Sequence, residues 1–100
     1  EELRLAQLRE GVALQYEQAV GERERAAASL AARERTVTQA NRVHDLTVLR
    51  YEQGLATQLE VSDARLGLLR ARTALAQATA DYHLAAAAVV RALGETTVSF

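Results

Sequence analysis

The chain has 100 residues, 12 basic and 13 acidic side chains, no proline, no cysteine, three Tyr and one Phe. A net charge of −1 with acids and bases interspersed excludes the basic stripe of a nucleic-acid surface. The missing cysteines exclude disulfides and thiolate metal sites without fixing the redox compartment, and so few aromatics exclude a thick globular core. What remains is helix chemistry: alanine is about a fifth of the chain, and every basic residue is arginine. With leucine, glutamate and glutamine these are the strong helix formers, and such a composition at a 3.5 to 3.6 period reads as long helix or coiled coil. No uncharged run approaches the roughly 18–20 residues that cross a bilayer; the longest, 82–90, is mostly alanine. The chain starts mid-pattern at Glu1-Glu2-Leu3 with neither initiator Met nor signal peptide, and is expected to be an internal piece of a longer protein.

The first predicted element is a helix over residues 2–53. Leu5, Leu8, Val12, Tyr16, Ala19, Ala26, Leu30, Val37, Ala40, His44 and Tyr51 fall near three- and four-residue spacing. The stripe is imperfect, because Arg23 and Arg33 sit on it. Gly11 and Gly21 each cost roughly 1 kcal/mol against alanine, but neither is flanked by proline or a turn cluster, so the helix is expected to run through both.

Residues 54–57 are the one break. Gly54 is expected to take the positive φ that ends the first helix. Thr57 is the N-cap candidate for the second, with Glu60 three residues on to complete a capping box. One long helix that stops once and restarts at once is an αα-hairpin.

The second helix is predicted over residues 58–93 and its pattern is cleaner. Val61, Ala64, Leu68, Ala71, Leu75, Ala78, Tyr82, Ala85, Val89 and Ala92 follow steps of three and four without a miss, with large residues alternating with alanine. That alternation lets two helix backbones approach closely. A second seam runs beside it: Leu59, Ser62, Leu66, Leu69, Thr73, Ala76, Ala80, His83, Ala87 and Val90. An isolated hairpin needs one seam per helix, so two seams predict neighbours on two sides, as in a bundle or ring. Gly94 is expected to be the C′ glycine, and 94–100 an extended tail.

The order and spacing Arg50-Tyr51-x-x-Gly54-Leu55, then Leu59-Glu60-Val61 and Ala64-Arg65, resemble the periplasmic hairpin of the TolC-like outer-membrane efflux proteins. The alternating Ala and Leu after the turn, Tyr82, and the Val90-Arg91-Ala92-Leu93-Gly94 ending continue the likeness, which covers roughly 35–95. The resemblance implies an all-α chain, one long antiparallel αα-hairpin or coiled coil, that forms part of a helical-barrel tunnel. The run after the turn looks more like the second of the family's two repeats. The resemblance implies a trimer at the level of the whole protein, a periplasmic location for this part of an outer-membrane protein, and an inner-membrane pump and periplasmic adaptor as partners. Carried over by position, Arg50, Tyr51, Gly54 and Leu55 are the adaptor-docking turn, and Tyr51 and Glu60 fall where the family closes its tunnel. The basic residue that partners them in one member falls at Ala56 here.

His44 and His83 have no second histidine or carboxylate at i+3 or i+4, so they are read as seam or surface residues and no metal or cofactor is expected. Glu22-Arg23-Glu24-Arg25 and Arg33-Glu34-Arg35 are read as solvated faces with local ion pairs. No nucleophile–base–acid arrangement, phosphate loop or paired carboxylate site is present, so an enzyme is not expected. Two alternatives stand beside the duct reading. One is the coiled-coil hairpin of the adaptor itself, whose R-x6-L-x3-S tip pattern no arginine here begins. The other is a structural coiled coil, which leaves the turn string and the second seam unexplained.

Overall fold

The computed structural model describes residues 2–99, and all of its regular structure among them is helical. Helix α1 is Glu2–Glu52 and helix α2 is Gln58–Ser99, joined through residues 53–57. Charge supports both starts and the first stop: Glu2 and Glu60 lie in first turns and Arg50 in the last turn of α1, each opposite in sign to the dipole end it meets. The chain divides into two compact units, one holding the stretch up to Ala28 and from Ala80 on, the other Ser29–Thr79.

The unit Ser29–Thr79 contains the turn, and within it the two helices run antiparallel. Leu68, Ala71 and Ala78 are buried, and Val61, Ala64 and Leu75 half-buried. From α1, Leu30, Val37, Ala40, His44 and Val48 are half-buried. Arg72 Nη2 donates across the pair to Asn41 Oδ1 at 3.4 Å. Small residues at Ala71 and Ala78 let the α1 backbone approach, while Leu68 supplies the one large side chain that is buried there.

The other unit has its own small core of Ala19, Val89 and Ala92, with Tyr16 and Val20 packed against it. The Tyr82 and His83 rings meet edge-on with centroids 5.9 Å apart. Leu5 and Leu8 are exposed rather than seated in the seam. Ala19 packs with Ala92.

Helix α1 passes Gly11 and Gly21 unbroken. Two expectations need correction. Arg23, read as part of a solvated face, is half-buried, whereas Arg33 is exposed as expected; between Ala31 and Val37 the covered face of α1 is interrupted. Nor does α2 end at Leu93. It continues through Gly94 to Ser99, and Gly54 is the only glycine with positive φ. A helical glycine costs only roughly 1 kcal/mol, and the chain has no proline to enforce a stop. The part of the expected tail at Phe100 lies outside the described residues.

Gly67 is also helical, and a Cβ built on it would meet nothing within 4 Å. Replacing Gly67 by alanine is therefore expected to stabilise the chain by about 0.5–1 kcal/mol, read as a higher urea midpoint by far-UV circular dichroism.

Candidate functional site

The turn is built by a short hydrogen-bond ladder. The Gln53 N–H reaches the Leu49 and Arg50 carbonyls at 3.3 and 3.2 Å, the Gly54 N–H reaches the Tyr51 carbonyl at 3.0 Å, and the Leu55 N–H returns to the Arg50 carbonyl at 2.8 Å. The last bond spans a residue in the left-handed region, Gly54 at φ 77°, which is how a chain reverses after a helix while satisfying its terminal carbonyls. The Glu60 N–H donates to Thr57 Oγ1 at 3.2 Å, so Thr57 caps α2 as its position in the sequence predicts.

All four residues expected to form a docking turn lie here, but they differ in what they present. Leu55 is 64% exposed and Tyr51 45%. Leu59, not singled out as a turn residue from sequence, is 70% exposed and adds a further apolar side chain four residues on from Leu55, in the first turn of α2. Gly54 shapes the backbone. Arg50 Nη2 donates to the Leu55 carbonyl at 3.2 Å. Glu60 is exposed, as is Tyr51, and no hydrogen bond joins them within the described chain; Ala56 between them is half-buried.

The faces of α2 separate cleanly. Every residue of its first seam, Val61 through Ala92, is buried or half-buried, and every residue of the second, Leu59 through Val90, is exposed. The polar member Thr73 turns its hydroxyl onto the Leu69 carbonyl at 2.9 Å, satisfying it within its own helix and leaving its methyl on the surface. Val43, Leu46 and Leu49 of α1 are exposed as well.

Sequence reasoning missed a cleft of about 400 Å³ in the same unit, lined by Asn41, His44, Asp45, Arg65, Leu68, Leu69 and Arg72. His44 Nδ1 lies 3.6 Å from Asp45 Oδ1, too long for a good hydrogen bond, and its buried Nε2 has no partner. Contacts across the helix pair build this cleft, and no spacing within one helix announces it. No cluster of three or more His, Cys, Asp or Glu able to hold a metal occurs among the described residues. No helix there is long and apolar enough to cross a membrane.

The described chain is thus a helical hairpin whose second helix has one covered and one exposed apolar face. Comparison with protein families identifies it: residues 1–95 match the outer membrane efflux protein family. The chain belongs to that family, which is a family of transporters. The match sets aside the adaptor-hairpin and purely structural alternatives. No curated protein and no solved structure matches the chain.

Proposed function

We propose that this hairpin is a periplasmic segment of the helical tunnel of an outer-membrane export duct, which serves an inner-membrane pump and docks by its turn onto a periplasmic adaptor. The duct is passive; it conducts, and opens when its helices shift. The observation that carries the reading is the split of α2 into a covered seam and a parallel, wholly exposed one. Leaving Leu59, Leu66 and Leu69 in water forgoes roughly 1 kcal/mol or more for each that a neighbour could bury, and a ring of helices supplies that neighbour. In the whole protein this is self-association, as a trimer, with the present chain in the second repeat.

At the turn, exposed Tyr51, Leu55 and Leu59 give the adaptor an apolar contact, with Gly54 fixing the reversal. Tyr51 and Glu60, both free of partners in the hairpin, are the groups left to close the tunnel against a neighbouring copy.

The test is site-specific photo-crosslinking in the full-length protein in cells. A crosslinker at Leu55 or Leu59 is expected to capture the adaptor, one at Leu66 or Leu69 to capture another helix of the same duct, and one at Glu17 neither. Leu55→Ser should sensitise cells to exported toxic compounds while outer-membrane trimer levels stay normal. Capture of the adaptor at Glu17 but not at Leu55, with export intact in Leu55→Ser, would remove docking from this turn.

A further inference from the structure

Arg50 and Leu55 are bonded to each other twice. The Leu55 N–H donates to the Arg50 carbonyl at 2.8 Å, and the Arg50 guanidinium donates back to the Leu55 carbonyl at 3.2 Å. Together the two bonds close a ring around Tyr51, Glu52, Gln53 and Gly54. The backbone bond alone would let the Leu55 peptide pivot about it. The guanidinium holds the carbonyl side of the same residue. That side chain is 64% exposed, so the clamp does not serve to bury it. Arg50 makes no ion pair with any described carboxylate, although Glu52 lies two residues away, and it stands in the last turn of α1, where its charge already faces the helix's negative end. One of its donors, Nη2, is directed back at the turn.

We infer that Arg50 is a positioning residue that acts through Leu55: it holds the Leu55 peptide so that the leucine side chain is presented in one orientation, and it does not itself contact the docking partner. The inference rests on the docking reading above and sharpens it. The partner surface that fits this turn is then an apolar pocket for Leu55 and needs no acidic group opposite Arg50. Two other features carry less. In the cleft around Arg65 and Arg72, Arg72 is already bonded to Asn41, and the exposed second seam belongs to the assembly proposed above.

The test uses full-length protein carrying Arg50→Met, Leu55→Ala or both. Methionine keeps length and helix propensity, and the Arg50 side chain is exposed, so the hairpin is expected to fold. Two readouts are taken together: amide exchange at Leu55, and capture of the adaptor purified from the same cells. A hydrogen bond of ordinary net strength predicts roughly a three- to tenfold rise in Leu55 exchange in Arg50→Met, with protection at Leu68 and Ala71 unchanged. It also predicts weaker adaptor capture in Arg50→Met, and no additional loss when Arg50→Met is placed on Leu55→Ala, since residues acting through one contact are not additive. Unchanged exchange at Leu55 overturns the clamp. Losses in capture that add in the double variant overturn the positioning role, because Arg50 would then touch the partner itself. If Leu55→Ala captures the adaptor as well as the unmodified protein does, the docking reading fails instead, and the clamp is decided by the exchange result alone.

Discussion

Replacing Leu68 by alanine is expected to lower the stability of the chain by about 2–3 kcal/mol, the lower part of the range for deleting a buried leucine. Leu68 is 6% exposed and is the only large side chain buried in its unit; its buried companions Ala71 and Ala78 fill little space. Small buried companions offer little volume to refill the gap, which argues for a high cost. The adjoining cleft, with Asn41, His44 and Arg72 on its walls, lets water reach the vacated volume, which lowers it. Against the 5–15 kcal/mol typical of whole domains this is a large share, read as a fall in the urea midpoint by far-UV circular dichroism. Leu69→Ala, one residue along but 52% exposed, is expected to shift that midpoint by less than about 0.5 kcal/mol. In the assembled duct the contrast should narrow or invert: Leu69→Ala removes an apolar contact between neighbouring helices, and trimer yield is the measurement that shows it. Equal effects of the two substitutions on the isolated chain would mean that the seam has been assigned to the wrong face.

That contrast was legible in the sequence because it depends only on periodicity. Ten positions at heptad spacing with alternating bulk can face a partner in only one way, and the parallel stripe beside them is then turned outward. The first helix was less legible for the same reason. Its stripe mixes Arg23 and Arg33 with leucine and valine, and periodicity cannot tell that one arginine is half-covered and the other free. Tyr51 fits the spacing but lies where the chain leaves the helix, so it is exposed. The two glycines show the limit most clearly. Gly54 and Gly94 both follow a helical run, and only the first ends one. What marks Gly54 is the turn that follows it, where Thr57 caps a second helix; α2 runs on through Gly94. The cleft at His44 and Arg72 was not legible at all, because it depends on which residues of α1 and α2 come opposite each other, and that register is set at the turn.

Gly54→Val is expected to cost about 2–3 kcal/mol and, in the full-length protein, to abolish adaptor capture while the trimer still reaches the outer membrane. The cost is conformational. At φ 77° a Cβ clashes with its own peptide, at about 1–2 kcal/mol for an ordinary side chain, and β-branching makes the left-handed region a genuine outlier. Crowding contributes nothing, since a Cβ at this position has no atom within 4 Å. This separates two explanations that a single bulky substitution would confound. If backbone conformation is what matters, the order of stability runs Gly, Asn, Ala, Val, because Asn tolerates positive φ better than alanine although it is larger. If free space is what matters, because a partner sits against the glycine, the order follows size and alanine outperforms Asn in adaptor capture. The two orders can be read on the same four proteins, stability from the urea midpoint and docking from crosslinking at Leu55. A stability series ordered by φ tolerance beside a capture series ordered by size would place the partner directly over Gly54. Both series ordered by φ tolerance would mean that the glycine serves docking only through the direction it gives to Leu55.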